Sequence, residues 1–223
     1  MVYETPEYHP AFEEYCETIF ELGEDGLDVI QARIADRMDV SRPAVSEMIR
    51  KMAREGLVEV ADNHEVLLSV DGLALANQVV RRHRLAERFL TDILGLSWAE
   101  AHHEAGKWEH VISPVVEAAL VRELGNPTTC PHGNPIPGSG YEVPAEATIL
   151  GDVPVGESFV VQRIPEELEF EPGLLEYLED AGVVPGRHGM VTASSPDGTT
   201  TVEVDGRPSG IGSFAGERIL VSR

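Results

Sequence analysis

The chain has 223 residues, enough for two or three small domains, and a formal net charge of −22, whereas a general nucleic-acid binder carries a basic excess. No apolar run approaches the roughly 20 residues of a membrane span. Residues 1–7 are acidic and lack the apolar core of a signal peptide. We therefore expect a cytoplasmic protein that has no membrane partner. Cys16 and Cys130 are too few for a disulfide framework, so we expect both to be reduced.

A first helix is predicted to begin near Pro10 and to end at Gly23, with an apolar stripe at Phe12, Tyr15, Cys16, Ile19 and Leu22. Its other side is acidic and carries Glu13, Glu14, Glu17 and Glu21. Most acidic stripes are solvated faces, and that is one interpretation of this one. However, Glu14 and Glu17 are three residues apart, so both can reach one cation.

Two short helices then predict a helix-turn-helix. The first spans residues 30–38, and the second spans residues 42–55, with Ser41 as its N-cap and Pro43 in its first turn. The second would enter the major groove of DNA through its N-terminal half. Acids and bases balance over residues 27–60, which makes this segment neutral within an acidic protein. The residues that we predict to face DNA are Arg33, Ser41, Arg42, Pro43, Ala44, Ser46, Glu47 and Arg50.

Residues 57–60 and 66–69 read as two strands around a turn at Asp62-Asn63, which is the wing of a winged helix. A helical hairpin that does not bind DNA is the alternative interpretation of this segment.

A long helix over residues 72–94 carries His83 and Glu87 four residues apart, on one face. The next helix follows the capping box of Ser97 and Glu100 and places a second set of polar residues on one stripe: His102, Gly106, Glu109 and His110. Imidazoles and carboxylates that share a stripe are ligands for a divalent metal if a facing element completes the set. Solvated ion pairs and surface histidines are the alternative.

Three further features follow. A helix that starts at Ser113-Pro114 adds apolar surface, which suggests a dimer interface. Residues 126–143 are rich in Pro and Gly and predict a loop or linker, and its Cys130 and His132 lack the second pair of a zinc finger. Residues 145–223 contain short β-rich runs at 158–162, 189–193, 200–204 and 218–221, interrupted by one helix at 172–181, and predict a small β-barrel.

Taken together, the chain resembles the diphtheria toxin repressor family, whose members are metal-dependent transcriptional repressors. The resemblance is carried by the helix-turn-helix, by the run His-Arg-Leu-Ala-Glu-Arg at 83–88, by the stripe from His102 to His110, and by Gly-Asn-Pro-Ile-Pro-Gly at 133–138. It implies a mainly α fold with a β part: an N-terminal winged helix-turn-helix over residues 1–71, a helical metal-binding and dimerisation domain over 72–143, and a C-terminal SH3-like barrel over 144–223.

The resemblance also implies two metal sites. The ancillary site of the family falls on His83, Glu87 and His102, with Glu171 as an acidic residue from the SH3-like domain. The primary site falls on Glu109 and His110, together with positions that correspond here to Glu14, Gly106 and, in the manganese-sensing branch, Glu17. The family's anion-contacting residues correspond to Arg84 and Asn134.

This chain departs from the iron-sensing members at two ligand positions. Those members carry Met and Cys where this chain has Glu14 and Gly106, although the backbone carbonyl of Gly106 can still bind a metal. A carboxylate in place of a thioether makes the site harder, which favours Mn(II) over Fe(II). We therefore predict an Mn(II)-dependent homodimer that binds operator DNA and represses metal-homeostasis genes. An Fe(II)-dependent repressor and a metal-independent winged-helix regulator are the alternatives. We see no nucleophile or base motif and do not expect an enzyme.

Overall fold

The computed structural model describes residues 10–142, 144 and 147–223. The first nine residues and part of the boundary predicted near residue 143 therefore lie outside the described residues. Within the described ranges, no helix is long and apolar enough to cross a membrane.

The N-terminal part is a winged helix. Its elements are α1 (Pro10–Glu24), α2 (Gln31–Arg37), α3 (Arg42–Arg54), β1 (Val58–Val60) and β2 (Val66–Leu68). Ser41 caps α3 by accepting a hydrogen bond from the backbone N–H of Ala44, and β1 pairs with β2 as an antiparallel wing. One apolar core, which includes Ile19, Ile34 and Ile49, joins α1, α2 and α3. The predicted helix-turn-helix and wing are thus confirmed.

Three helices form the middle part: α4 (Val70–Asp92), α5 (Trp98–Trp108) and α6 (Pro114–Glu123). The capping box predicted at Ser97 and Glu100 is present at the start of α5. The helix ends earlier than the sequence suggests, because Glu109 is its C-cap and His110 lies in the turn that follows. Ile112 is buried at that turn, which reverses the chain toward the N-cap of α6 at Ser113.

The C-terminal part is a six-stranded antiparallel sheet with the strand order β3-β8-β4-β5-β6-β7. Its strands are β3 (Thr148–Ile149), β4 (Ser158–Arg163), β5 (His188–Ser194), β6 (Thr200–Val204), β7 (Arg207–Ile211) and β8 (Leu220–Ser222). The short helices are α7 (Glu166–Glu169), α8 (Leu174–Asp180) and α9 (Ser213–Gly216). Phe159, Val161, Val191 and Val202 belong to its core, which α8 covers with Leu175 and Leu178.

Candidate metal centre

Two antiparallel helices bring the predicted ancillary residues together. His83 and Glu87 are buried on one face of α4, and His102 on α5 faces them. His102 Nδ1 lies 3.0 Å from Glu87 Oε1, and His83 Nε2 lies 3.3 Å from the same oxygen and 3.3 Å from His102 Nδ1. These three side chains can each offer one ligand atom within 4.8 Å of the others.

A second group of side chains joins α1 to the end of α5. We call it the α1 cluster; its members are Glu13, Glu17, His83, Glu109 and His110. Glu109 contacts both histidines, with Oε2 2.5 Å from His83 Nδ1 and Oε1 3.1 Å from His110 Nε2. His110 Nδ1 lies 2.6 Å from Glu13 Oε2, and Glu17 Oε1 lies 4.0 Å from His83 Nδ1. The cluster therefore connects the winged helix to the helical part.

Two residues predicted for the primary site lie at its edge. The Glu14 side chain is 54% exposed, and its Oε1 is 3.8 Å from His110 Nε2. Gly106 is also exposed, in the last turn of α5, where helix carbonyl groups have no partner inside the helix. Glu13 was not among the predicted ligands, yet it is the buried carboxylate nearest to His110. Only its place on the acidic side of α1 could have indicated it.

A third group lies where the sheet domain meets α4 and α5. We call it the β-domain cluster; its members are Glu87, His102, Cys130, His132, Glu166 and Glu169. Glu169 Oε2 lies 3.1 Å from His102 Nδ1 and 2.9 Å from His132 Nδ1. Glu171, the acid predicted from this domain, is exposed instead. The single turn of α7 explains the difference, since its two buried acids, Glu166 and Glu169, are three residues apart on one side.

The Pro- and Gly-rich loop contributes to this cluster rather than serving as a free linker. Cys130, His132, Asn134 and Ile136 are all buried. The ligand atoms of Cys130, His132 and Glu87 lie within 4.8 Å of one another. Glu87, which is distant in sequence, thus lies beside Cys130 and His132, and the spacing of zinc-finger ligands does not predict this arrangement.

The two residues predicted to contact an anion hold carboxylates of the protein itself. Arg84 is fully buried, and its NH2 donates to Glu24 Oε2 at 2.7 Å and to Glu166 Oε1 at 2.9 Å. Asn134 Nδ2 donates to Glu169 Oε1 at 2.7 Å. Both residues therefore support the acidic side chains around the β-domain cluster.

Burial and charge shift the pKa values of these groups in opposite directions. Burial lowers the pKa of His102, but Glu169 and Glu87 more than compensate and raise it to about 11. Burial raises the pKa of Glu169, but His132 and His102 bring it down to about 2. In the absence of a cation, these groups therefore form protonated histidine–carboxylate pairs at neutral pH.

On the acidic side of α1, burial also raises the pKa values of carboxyl groups, and the nearby positive charges do not offset this effect. Burial and the nearby Glu109 raise the pKa of Glu17 well above its ordinary range. Burial likewise raises the pKa of Glu21 to about 7, despite Arg84 and His83 nearby. A cation bound near these carboxyl groups would favour their charged forms and lower their pKa values.

The donor set fits a divalent cation. Among the described residues, seven glutamates are buried against two arginines, Arg82 and Arg84. Within the same ranges, the buried carboxylate oxygens without a hydrogen-bond partner include Glu17 Oε1, Glu87 Oε2 and Glu166 Oε2. Unpaired buried acceptors cost free energy, and a metal ion satisfies them. Carboxylate oxygen and imidazole nitrogen are ligands that suit Mn(II) and Fe(II).

The helix-turn-helix exposes most of the residues that we predict to face DNA. At the start of α3, Ser41, Arg42, Pro43 and Ala44 are exposed, while Val45 faces the core. Further along the helix, Glu47 and Arg50 are exposed, and Ser46 is half-buried. Arg33 on α2 is half-buried and donates to the backbone carbonyl of Asp28.

Three family profiles match consecutive parts of the chain. Residues 8–66 match the N-terminal DNA-binding domain of the iron-dependent repressors, and residues 69–138 match their metal-binding and dimerisation domain. Residues 149–223 match the FeoA domain. The three matches follow the order winged helix, helical domain, SH3-like domain.

Relatives of known name align along most of the chain. The iron-dependent repressor IdeR of Mycobacterium tuberculosis H37Rv is 43% identical over 204 residues, which cover 87% of this chain and 88% of the relative. The diphtheria toxin repressor of Corynebacterium diphtheriae is 38% identical over 203 residues, with 87% and 89% covered.

Solved structures agree with this. A manganese-dependent transcriptional repressor in complex with manganese superimposes with a TM-score of 0.82 at 34% identity, covering 95% of this chain and 99% of the other. The manganese regulator SloR superimposes with a TM-score of 0.74 at 31% identity, covering 95% and 98%. The chain therefore belongs to the diphtheria toxin repressor family of metal-dependent transcriptional repressors and is not an enzyme.

Proposed function

We propose that this repressor is activated by Mn(II) and that the α1 cluster is its switch. The observation that carries the proposal is the convergence of Glu17 from α1, His83 from α4 and Glu109 from the end of α5, whose ligand atoms lie within 4.8 Å of one another. These side chains come from the DNA-binding part and from the helical part of the chain. Their mutual position therefore sets the angle between the two parts.

A bound divalent cation supplies the positive charge that allows these carboxylates to converge. Without it, burial and the nearby Glu109 both disfavour the charged form of Glu17 and raise its pKa. His110 and His83 must lose their extra protons before they bind a metal, so binding releases protons. We propose Glu14 and the Gly106 carbonyl as additional ligands of this cluster, and the β-domain cluster as the second site.

Dimerisation converts the angle between the two parts into DNA affinity. Several apolar side chains from the ends of α4 and α5 and from the start of α6 are exposed: Ile93, Leu94, Val111, Val115 and Val116. They suit the interface of a homodimer. In a dimer, the angle between α1 and α5 fixes the separation of the two α3 helices, and the half-sites of an operator must match that separation. The residues of α3 that we propose to read the operator are Arg42, Pro43, Ala44, Ser46, Glu47 and Arg50, flanked by Arg33 and Ser41.

The choice of Mn(II) over Fe(II) rests on the chemistry of the ligands. Named relatives include iron-dependent and manganese-dependent repressors, so family membership leaves both metals open. In the α1 cluster every side-chain donor is a carboxylate or an imidazole, and the position where iron-sensing members carry Cys is Gly106. The absence of thiol and thioether donors favours the harder ion. Fe(II) is the second candidate on the same ligands.

The substitution His110→Ala tests the switch. We expect the variant to remain a folded dimer but to lose metal-activated binding to DNA from its own promoter region, because Glu109 and α1 lose their shared imidazole. The matched control is His103→Ala, since His103 is an exposed histidine on α5, the helix that ends just before His110. The measurements are DNA binding by fluorescence anisotropy with chelator and with Mn(II), and oligomeric state by light scattering. Metal-activated binding of His110→Ala at wild-type strength contradicts the assignment.

A further inference from the structure

The aromatic ring of Phe170 lies between the β-domain cluster and the helix-turn-helix. On one side, its centroid is 5.6 Å from that of the His102 ring, in an edge-to-face arrangement at 89°. On the other side, the guanidinium carbon of Arg37 lies 4.5 Å from the Phe170 centroid. His102 is a candidate metal ligand, whereas Arg37 is the last residue of α2. One side chain thus contacts both.

Polar contacts hold the segment that carries Phe170 against the DNA-binding part. Arg163 NH2 lies 2.6 Å from Asp25 Oδ1 and 3.1 Å from Glu24 Oε2. The backbone N–H of Glu167 donates to Asp25 Oδ2 at 2.9 Å. The sheet domain therefore contacts the end of α1 directly, in addition to its contacts with α4 and α5.

Arg37 is held by the Phe170 ring and by two long ion pairs. Its side chain is only 7% exposed, yet within the described residues neither NH1 nor NH2 has a hydrogen-bond partner. The nearest carboxylate oxygens, Glu21 Oε2 and Asp25 Oδ2, are 3.7 and 4.0 Å away. A guanidinium that stacks on an aromatic ring is attracted to the ring face, and here the guanidinium of Arg37 is the buried partner.

We propose that Phe170 is a positioning residue that transmits the state of the β-domain cluster to the helix-turn-helix. Its ring contacts His102, so a rearrangement of the pair His102–Glu169 on metal binding changes where Arg37 is held. Arg37 ends α2, and α2 shares one apolar core with α3. This inference rests on the proposed function and adds a second route from the metal to the recognition helix, which passes through Phe170 and Arg37 rather than through α1.

Three variants and one control test the role of Phe170. The measured quantity is the gain in affinity for promoter DNA when Mn(II) replaces chelator. We expect this gain to be about fivefold smaller in Phe170→Ala, as removal of a partly exposed cation–π contact implies. Phe170→Leu keeps apolar volume but loses the ring face, and we expect the same loss. Phe170→Tyr keeps the ring and should restore the gain. Phe214→Ala is the control, because Phe214 stacks on Arg218 within the sheet domain.

Two further readouts separate positioning from metal binding and from folding. Phe170 supplies no ligand atom, so all variants should retain the wild-type Mn(II) content after equilibrium dialysis, and their thermal unfolding should stay close to wild type because Phe170 is 46% exposed. Amide hydrogen exchange of residues 31–37 should slow on Mn(II) binding in the wild type and in Phe170→Tyr, but not in Phe170→Ala.

The outcomes distinguish this inference from the proposed function. A wild-type protein whose DNA affinity does not respond to Mn(II) overturns the proposed function itself. A wild-type response that Phe170→Ala and Phe170→Leu retain in full, with wild-type protection of α2, overturns the role of Phe170 alone. Loss of Mn(II) content in Phe170→Leu also overturns it, since the residue then acts on the metal site rather than through it.

Discussion

His83 Nδ1 and Glu109 Oε2 lie 2.5 Å apart, while the other ring nitrogen of His83 lies 3.3 Å from Glu87 Oε1. A single imidazole therefore links the α1 cluster to the β-domain cluster. Whichever nitrogen binds a metal, the other one is oriented by a carboxylate of the neighbouring cluster. The two candidate sites are thus coupled through one side chain.

This link predicts that one substitution weakens both sites. We expect His83→Gln to lower the affinity for Mn(II) at each site by about 10- to 100-fold, as the loss of an orienting partner does in other metal sites. Competition with a fluorescent chelator measures both affinities. The control is His103→Gln, which changes an exposed imidazole on α5. A loss confined to one site shows that the clusters are independent.

Substitutions at Gly106 are expected to change the metal selectivity of the repressor. An added Cβ meets no atom within 4 Å, and the position is exposed, so side chains fit there. We expect Gly106→Cys to shift activation of DNA binding toward Fe(II), because a thiolate is a softer ligand, and Gly106→Glu to favour Mn(II).

Gly106→Ala is the control for this series, because it adds no ligand and should only stabilise the helix by about 1 kcal/mol. The ratio of the Mn(II) and Fe(II) concentrations that give half-maximal DNA binding measures the effect. Equal ratios in all three variants place Gly106 outside the metal site.

The pair His102–Glu169 predicts a pH window for its own contribution to stability. The pKa of His102 is raised from 6.5 to about 11, so its contribution is complete below pH 6.5 and is lost as the pH rises toward 11. The pKa of Glu169 is lowered from 4.5 to about 2, so its contribution is complete above pH 4.5 and is lost as the pH falls toward 2. The pair stabilises the metal-free protein most between pH 4.5 and 6.5.

Thermal unfolding of the chelated wild type and His102→Gln checks this window. The difference in melting temperature between the two proteins should be greatest at about pH 5.5 and smaller at about pH 9. A difference that does not change with pH means that His102 contributes through packing and not through charge.

Outside the candidate metal ligands, we expect substitution of Arg84 to lower the free energy of unfolding most. Its guanidinium is fully buried between Glu24 and Glu166 and also donates to the carbonyl of Pro135. Arg84→Gln removes the countercharge of the buried Glu166, while Glu24 keeps Arg163, and should cost about 3–5 kcal/mol. Arg187→Gln removes an exposed pair with Asp205 and should cost about 1 kcal/mol or less. Urea unfolding of the chelated proteins compares the two, and equal losses contradict the buried-pair argument.

Local signals account for the parts of the fold that the sequence predicts well. Ser41, Ser97 and Ser113 cap α3, α5 and α6 as expected, because capping depends on residues three positions away at most. Strand β7 escaped prediction because it contains Pro208 and Gly210, which are unusual in strands. It lies at the edge of the sheet, where proline is tolerated.

In the candidate site, too, local sequence signals predict some residues, while others depend on how distant parts of the chain pack. Spacing on α4 and α5 is enough to predict His83, Glu87 and His102, which share faces of two packed helices. Glu169 and His132 could not be assigned this way, since Glu169 meets His102 and His132 meets Glu87 only through the packing of a one-turn helix and a loop. The sequence prediction chose Glu171, which is exposed, because the sequence does not show which acids near this single turn are buried.

DNA binding under controlled metal concentrations tests the central claim most directly. Wild-type protein is stripped with chelator, and Mn(II) and anaerobic Fe(II) are then titrated back separately against DNA from its own promoter region. We predict no specific binding without metal and activation by Mn(II) at a lower free concentration than by Fe(II). Equal or better activation by Fe(II) contradicts the assignment of Mn(II), and promoter binding that survives chelation contradicts the metal switch.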